Sequence, residues 1–235
     1  MKKFLNVLNL GFHDYGKTLE LQRELASLRG KGTTLDMLIL AEHNPVYTLG
    51  RGGKKSNLLL DSESLKKKGI EFFEVERGGD ITYHGPGQIV AYPIFDLNGI
   101  EKDIHRFLRN LEEVLLLLLE DYGIFGERIR GKTGVWVGKE KIASIGVKIS
   151  RWITWHGLAL NVNPDLSYFN DIVLCGLKNV RSTSMAKELG TVPDIDEVKE
   201  SMIQCFAEVF GFSATFPFLF AKKGCPTKIP SDLSE

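Results

Sequence analysis

Cysteine, net charge and long apolar runs are all scarce in this sequence, and each shortage excludes a class of protein. The 235 residues include three cysteines, at positions 175, 205 and 225, and no C-x-x-C pair, which argues against a disulfide framework and a paired-cysteine zinc site. Thirty basic residues balance thirty acidic ones, so net charge gives no indication of a nucleic-acid or membrane partner. The longest apolar run, Val114–Leu119, has six residues, whereas roughly 20 are needed to span a bilayer.

The N-terminus also lacks the features of a secretion signal. It has a basic start but no sustained apolar region and no small-residue cleavage site, and the polar Asn6 and Asn9 interrupt it. The sequence therefore predicts a cytoplasmic protein. No repeat or long linker divides the chain, so we expect a single domain over residues 1–235, with residues 191–235 as a C-terminal helical extension.

Hydrophobic periodicity outlines the elements of that domain. Apolar residues at helical spacing predict helices over 15–29, 101–122 and 194–210, and Asp194 with Glu197 resembles a capping box. Short apolar or alternating runs predict strands over 36–41, 46–49, 71–76, 88–97, 134–137, 141–149 and 154–162. The last 25 residues, with a Pro- and Ser-containing tail, are predicted to be a loosely held terminus.

The stretch Arg77–Gln88 has the most unusual composition. It reads R-G-G-D-I-T-Y-H-G-P-G-Q, with glycines at 78, 79, 85 and 87. Glycine at this density suits a backbone that adopts positive φ or lets another molecule approach closely, and the side chains between can hydrogen-bond a polar ligand. A surface loop between two strands is the alternative interpretation.

A lysine opens the apolar face of one predicted strand. In residues 141–149, Lys141 has the same parity as Ala143, Ile145, Val147 and Ile149. Lys141 therefore either lies at a fraying end with its ammonium in water or is held inward for a reason. The next strand places His156 on one face with three apolar residues, Leu158, Leu160 and Val162.

The three cysteines differ in their surroundings. Cys205 lies on the apolar stripe of a predicted helix and is expected to be a small core residue. Cys225 lies in the tail beside Pro226. Cys175 follows an apolar run and precedes Gly176, and neither core packing nor the tail explains it. A lone cysteine is nevertheless more often inert than catalytic.

Several of these stretches together resemble one family. The upstream E-H-N-P-V-Y-T-L-G-R-G-G, the Gly-rich stretch, the run K-I-A-S-I-G-V-K-I-S-R-W-I-T-W-H-G-L-A-L-N-V and the tripeptide C-G-L are similar to the octanoyltransferase family of lipoate biosynthesis, also called lipoyl(octanoyl) transferases. The resemblance covers about residues 12–190. It implies an α/β (α+β) fold like the catalytic domain of biotin and lipoate protein ligases, a mixed sheet flanked by helices with a small C-terminal cap.

The resemblance also implies roles for particular residues. Cys175 would be the nucleophile that takes an octanoyl group from the thioester of octanoyl-acyl carrier protein, and Lys141 would be its partner. The segments implied to line the substrate pocket contain Arg77, Gly78, Gly79, Asp80, Ile81, Thr82, Tyr83, His84, Ser144, Ile145, Gly146, Gly157, Leu158 and Ala159. One departure is Leu174, where the family usually has proline; proline there would fix φ, so the change puts the rigidity of the loop in doubt.

The implied partners are acyl carrier protein and the lipoyl domains of 2-oxoacid dehydrogenase complexes and of the glycine cleavage H protein, with a monomeric enzyme and no cofactor or metal. A free cysteine is only a few per cent thiolate near neutral pH, and a nearby lysine ammonium favours the anion. The basic clusters Lys54-Lys55 and Arg128–Lys132 are candidate docking surfaces for the usually acidic carrier.

Three other functions fit parts of the same sequence. A lipoate or biotin ligase of similar fold would also use a lysine, but it would consume ATP. A non-catalytic binder of acyl carrier protein or lipoyl domains would keep the fold without turnover. A zinc enzyme could use Cys175, His84 and His156, although these residues lack close ligand spacing.

Overall fold

The computed structural model describes residues 4–173 and 180–212, and the backbone alone of residues 214–220. The α-helices in this part of the chain are α1 Tyr15–Gly30, α2 Ser62–Lys68, α3 Ile104–Asp121, α4 Met185–Leu189 and α5 Ile195–Phe210. The strands are β1 Phe4–Phe12, β2 Met37–Glu42, β3 Val46–Leu49, β4 Glu71–Glu74, β5 Ile81–His84, β6 Gln88–Ile94, β7 Glu127–Ile129, β8 Lys132–Val137, β9 Glu140–Ser150, β10 Ile153–Asn161, β11 Arg181–Ser182 and β12 Ala214–Phe220. Short 3₁₀ helices lie at Lys55–Asn57 and Leu166–Asp171.

The strands form two sheets. The main sheet has the order β12-β1-β2-β6-β10-β9-β8-β7, and β11 pairs with β9 beside this path. Strand β1 is parallel to both of its neighbours, and β11 is parallel to β9, whereas the other pairs are antiparallel. Strands β4, β3 and β5 make the small sheet. The expected mixed sheet flanked by helices is confirmed.

Alternating residues of the central strands fill two cores. On one face of the main sheet, Leu38 and Ile89 pack with apolar residues of α3 and α5. On the other face, Ile39 and Tyr92 pack with Leu25 of α1. Because successive side chains of a strand point to opposite faces, both faces of these strands are apolar and covered by helices.

The two longest predicted helix stripes are confirmed in their middle parts. Asp103 caps α3 by accepting hydrogen bonds from the N–H groups of residues 105 and 106, and the stripe is fully buried from Leu111 onward. Ile104 has helical spacing with Leu111 but is 44% exposed, since it lies in the first turn of α3. Asp194 caps α5 as predicted, and Cys205 is a buried core residue.

Five strands were missed or misjudged, namely β1, β5, β7, β11 and β12. Strand β1 contains the polar Asn6 and Asn9, but their side chains are satisfied within the fold: Asn6 Nδ2 donates to Asp36 O at 3.2 Å, and Asn9 Oδ1 accepts from Gly11 N at 3.0 Å. The prediction of a loose terminus was wrong for residues 214–220, which form β12 parallel to β1. This pairing joins segments about 200 residues apart, so local periodicity could not indicate it.

No helix in the described part of the chain is long and apolar enough to cross a membrane.

Candidate active site

A cavity of about 560 Å³ lies between the α1-covered face of the main sheet and the small sheet. The small sheet contributes strand β5 and the loop that precedes it. The main sheet contributes β6, β9 and β10, and the turn between β7 and β8 reaches the wall at Arg130–Thr133. Segments from distant parts of the chain therefore converge on one space.

Small residues form the floor of this cavity. Ser144 lies opposite Ala159, and Gly146 lies opposite Gly157, in the antiparallel pairing of β9 with β10. A Cβ atom at position 157 would overlap Ala91 O and lie 2.7 Å from Pro93 Cδ, so only glycine fits there. A floor without large side chains leaves room above it for an elongated substrate.

The Gly-rich stretch is held by backbone hydrogen bonds on two sides, to β9 and to the loop that contains Gly52. Gly78 N donates to Val147 O on β9 at 2.8 Å, and Gly52 N donates to Gly79 O at 3.0 Å. Arg77 is buried, and its Nη2 donates to Thr48 O at 2.7 Å and to Thr48 Oγ1 at 2.9 Å. The surface-loop alternative holds only for residues 77–80, which lie between β4 and β5 and include the exposed Gly78 and Gly79. The same residues form part of the cavity wall, and residues 81–84 are the buried strand β5.

The structure brings most of the sequence-predicted pocket residues together. The cavity is lined by Arg77, Gly79, Asp80, Ile81, Thr82, His84, Ser144, Ile145, Gly146, Gly157, Leu158 and Ala159. Two predicted residues are not part of the lining. Gly78 uses its N–H to hold β9, and Tyr83 points away from the cavity, where its ring stacks on Tyr168 with 4.7 Å between centroids. Tyr83 alternates with Thr82 and His84 along β5, which explains why these neighbours face opposite sides.

Lys141 lies inside the protein at the cavity wall. Its side chain is 4% exposed, and Nζ is 5.3 Å from the centroid of the Trp136 ring. A Cβ at position 134 would lie 2.7 Å from Lys141 Cε, so Gly134 gives the lysine stem its space, and Gly134 N donates to the buried Glu112 at 3.2 Å. The fraying-end alternative for Lys141 is wrong. Sequence reasoning missed Trp136, whose position on β8 beside Lys141 follows from the hairpin register.

Cys175 and its neighbour Leu174 lie outside the described residues, and so does Cys225. The described chain ends, before this gap, at Val173, whose N–H donates to Asn57 O at 2.7 Å. After the gap, Arg181 and Ser182 pair in parallel with Glu140 and Lys141. The chain thus passes directly beside Lys141 seven residues after Cys175.

Contrary to the prediction, His156 does not share a face with Leu158, Leu160 and Val162. Its φ is 56°, in the left-handed region that non-glycine residues rarely adopt, and this turns the residue out of the strand's alternation. Its backbone N–H donates to Gln22 Oε1 of α1 at 2.9 Å, and its Nε2 lies 3.8 Å from Glu76 Oε2. The imidazole lines the cavity on the α1 side, whereas the three apolar residues belong to the α3-side core, where Leu158 also borders the cavity.

Two further buried histidines are His84, in the cavity lining, and His43 beside it, with 6.3 Å between the ring centroids. Burial, with a smaller contribution from neighbouring His43, lowers the pKa of His84 to about 3, and burial lowers the pKa of His43 to about 4. His43 Nδ1 donates to His13 O at 2.7 Å, so its Nε2 accepts from the Tyr92 hydroxyl at 2.7 Å. Tyr15 and Tyr92 also line the cavity and were missed, because nothing in their local sequence marks them.

These two histidines predict a pH-dependent stability. Their folded-state pKa values lie below the ordinary value of 6.5, so below that pH the unfolded chain binds more protons and stability falls. We expect the free energy of unfolding to be about 3–4 kcal/mol lower near pH 5 than near pH 8, from about 1.4 kcal/mol per group per pH unit. Urea unfolding across this range measures the effect. Burial also lowers the pKa of His156, so His84→Gln should lose part of the pH dependence and keep the rest, whereas His105→Gln at the exposed start of α3 should keep all of it. An unchanged slope in His84→Gln would contradict the burial argument.

No cluster of three or more histidine, cysteine or acidic side chains within the described ranges could hold a metal ion. The ring nitrogens of His84 are instead engaged in hydrogen bonds: Nδ1 with Gln88 Oε1 at 2.7 Å and Nε2 with Thr48 Oγ1 at 3.5 Å.

Comparison with known proteins first identifies the class. The model of the lipoyl protein ligase A/B catalytic domain matches residues 14–207. A bipartite lipoate protein ligase from Thermoplasma acidophilum has the same fold, with a TM-score of 0.73 at 17% identity over 94% of this chain and 88% of that one. At this identity the likeness concerns the fold alone, and it confirms the architecture expected from the resemblance.

Closer relatives narrow the class to one family. An octanoyltransferase of Thermoanaerobacter sp. (strain X514) is 53% identical over 206 residues, which are 87% of this chain and 90% of that protein. An octanoyltransferase of Caldicellulosiruptor saccharolyticus is 49% identical over 217 residues, which are 92% of each chain. The chain belongs to the octanoyltransferase family, and it is an enzyme of the lipoyl(octanoyl) transferase type in lipoate biosynthesis.

Proposed function

We propose that this enzyme transfers an octanoyl group from octanoyl-acyl carrier protein, through a thioester on Cys175, to the ε-amine of a lysine on a lipoyl domain. The acceptors would be lipoyl domains of 2-oxoacid dehydrogenase complexes and of the glycine cleavage H protein. The proposed setting is the cytoplasm, where a free thiol stays reduced.

The observation that carries the proposal is the placement of Lys141. This buried amine lies at the wall of a cavity with a floor of small residues, next to the strand that follows the Cys175 segment. An ammonium held at this position favours ionisation of a nearby thiol, and a thiolate is the nucleophile that attacks a thioester. Family membership supports the choice of an octanoyl group as the cargo.

The two proposed steps need no external source of free energy such as ATP. In the first step the Cys175 thiolate attacks the octanoyl carbonyl, an S–C bond forms to the enzyme, and the S–C bond to the carrier breaks. The departing carrier thiolate takes a proton from the Lys141 ammonium, which leaves Lys141 neutral for the second step. In the second step the acceptor amine attacks, an amide forms, and Cys175 leaves as thiolate. Lys141 accepts the proton that the amine releases and can return it to a leaving sulfur. Thioester exchange is nearly isoenergetic, and the amide is lower in energy, so no nucleotide is required.

Nucleotide dependence separates this proposal from a ligase, which activates a free acid with ATP. We expect single-turnover transfer from octanoyl-acyl carrier protein to a lipoyl domain to proceed in nucleotide-free buffer, with no acceleration by ATP. Free octanoate should give no product with or without ATP. Product formation from octanoate and ATP alone would overturn the proposal in favour of the ligase alternative. Equal binding of both partners without transfer would favour a non-catalytic binder.

The basic rim of the cavity is the proposed docking site for the carrier. Of the predicted clusters, Arg130 and Lys132 lie at the cavity wall. Arg128 is engaged by Glu112 at 3.1 Å and by Glu113 at 2.5 Å, and Lys55 pairs with Glu74 at 2.7 Å. We therefore assign the steering of an acidic carrier to Arg130 and Lys132 rather than to Arg128 or Lys55.

This assignment predicts a salt effect. Raising ionic strength from about 50 to about 300 mM shortens the screening length, so the encounter rate with the carrier should fall several-fold. The double variant Arg130→Gln, Lys132→Gln should have a lower rate at low salt and a flatter salt dependence. Stopped-flow measurement of carrier binding tests this, with the exposed pair Lys66→Gln, Lys67→Gln on α2 as control. A salt-independent encounter rate in the wild type would contradict the docking assignment.

A further inference from the structure

A line of buried hydrogen bonds runs from Arg77 in the cavity wall to the carbonyl oxygen of Thr183, and the N–H of the same residue donates separately to Lys141 O. It begins where Arg77 Nη2 donates to Thr48 Oγ1 at 2.9 Å, and the Thr48 hydroxyl contacts His84 Nε2 at 3.5 Å. His84 Nδ1 then bonds Gln88 Oε1 at 2.7 Å. The first half of the line therefore joins the Gly-rich stretch to the start of β6.

The second half of the line crosses the main sheet. Gln88 Nε2 donates to Asn161 Oδ1 at 2.8 Å, and these two residues are direct cross-strand partners of β6 and β10. Asn161 Nδ2 donates to Thr183 O at 2.9 Å, and Thr183 N donates to Lys141 O at 3.0 Å. Gln88, Asn161 and Thr183 are 2%, 4% and 0% exposed, so none of these bonds is in competition with bulk water.

The bonds from Arg77 to Thr183 O can all point the same way, whereas the bond from Thr183 N to Lys141 O is made by the preceding peptide group and is a separate contact. Arg77 can only donate, so Thr48 accepts from it and is left to donate its own proton to His84 Nε2. His84 must then carry its proton on Nδ1 in order to donate to Gln88 Oε1, and each carboxamide passes the direction on by accepting through oxygen and donating through nitrogen. Bonds aligned in this way polarise one another, and a missing member leaves buried groups unsatisfied on both sides.

We propose that Gln88 and Asn161 are positioning residues that hold His84 as the neutral Nδ1–H tautomer and fix β11 beside Lys141. They end the two long sequence motifs, G-P-G-Q and G-L-A-L-N-V, but neither lines the cavity. Their consequence for catalysis rests on the proposed function: β11 follows the Cys175 segment, so a loosened Thr183 changes where the chain returns next to Lys141.

The tautomer gives a readout that does not depend on activity. In protein labelled with ¹⁵N-histidine, the wild-type His84 ring should have a protonated Nδ1 and a bare Nε2, with its signals assigned by their loss in His84→Gln. In Gln88→Leu, which keeps the volume but removes the acceptor, we expect the proton to move toward Nε2. A wild-type ring protonated on Nε2, or a Gln88→Leu spectrum identical to wild type, would overturn the proposal.

The contact between Asn161 and Thr183, next to Lys141, is tested by amide hydrogen exchange and by enzyme kinetics. In Asn161→Leu, we expect the Thr183 N–H to exchange at least about tenfold faster than global destabilisation accounts for. The matched control is Asn9→Leu, another buried asparagine of the main sheet that bonds Gly11 outside this line; it should leave Thr183 exchange and the His84 tautomer unchanged. Thr183 exchange in Asn161→Leu that merely follows global stability would contradict the role of Asn161.

For catalysis we expect kcat of Gln88→Leu and Asn161→Leu to fall between about ten- and a hundredfold while KM for the carrier changes little. A KM effect with unchanged kcat would assign the line to carrier binding and overturn the positioning role. If Cys175 does not carry the acyl group, Cys175→Ala keeps its transfer activity, while the tautomer and exchange results are unaffected. The proposed role of Cys175 and the positioning role of Gln88 and Asn161 can therefore fail separately.

Discussion

Lys141→Met should lower the rate of octanoyl transfer by about a hundred- to ten-thousandfold, the range over which a positioned acid–base group contributes. Methionine keeps the unbranched stem that packs against Gly134 but removes the ammonium that lies over Trp136. Both half-reactions should slow, because the same group favours the thiolate in the first and accepts the amine proton in the second. Single-turnover assays of enzyme acylation and of transfer measure the two effects separately.

The matched control is Lys148→Met on the same strand. Lys148 Nζ lies 6.0 Å from the Trp155 ring, a similar cation–ring geometry, but Lys148 does not line the cavity. We expect this variant to have wild-type transfer rates. A Lys141→Met enzyme with transfer within about threefold of wild type would remove Lys141 from the mechanism, since an acid–base group contributes far more than this.

Gly157→Ala should destabilise the fold by about 3 kcal/mol or more, near the upper end of the cost of overpacking a well-packed site. The added methyl would overlap the carbonyl oxygen of Ala91 on the adjacent strand, and neither backbone can move without loss of the β6–β10 ladder. The same methyl group would narrow the cavity floor, so residual folded protein should transfer octanoyl slowly. Chemical unfolding and transfer assays below the midpoint of unfolding measure both.

Gly99→Ala is the control for this substitution. A Cβ at position 99 would meet its nearest atom, Asp96 O, at 3.6 Å, which is ordinary contact, and the residue lies in an exposed turn away from the cavity. We expect its stability to change by less than about 0.5 kcal/mol. Equal stability of Gly157→Ala and wild type would contradict the close approach of β6 and β10.

The parts of the site that follow from local pattern were predictable, and the parts set by long-range register were not. Period-two alternation placed Lys141 on the face of Ala143, although it left open whether the ammonium stayed in water. The hairpin register that sets Gly146 opposite Gly157 brings two of the motifs implied by the resemblance side by side. Residues such as Tyr15 and Tyr92 reach the cavity through packing between distant elements, which no local pattern encodes.

Period-two alternation predicted the wrong side-chain direction where the backbone departs from regular strand geometry. His156 was expected on the face of Leu158, and its left-handed φ moves it to the cavity instead. The resemblance implies the whole segment 77–84 as pocket lining and therefore includes Tyr83, but residues 81–84 form a strand on which Tyr83 points away from its neighbours Thr82 and His84. Positive φ at a histidine runs against residue preference, so tertiary contacts decided it. Ile81, Thr82 and Tyr83 are by contrast residue types that favour strands, and the glycines on either side obscured that signal.

The most direct test of the account is to identify the residue that carries the acyl group. Enzyme mixed with octanoyl-acyl carrier protein, without a lipoyl domain or nucleotide, is quenched in acid, digested and analysed by mass spectrometry. We predict one octanoyl group on the peptide that contains Cys175, its absence in Cys175→Ala, and its slow formation in Lys141→Met. An octanoyl adduct on another residue that persists in Cys175→Ala, or transfer to a lipoyl domain by Cys175→Ala at the wild-type rate, would contradict the account.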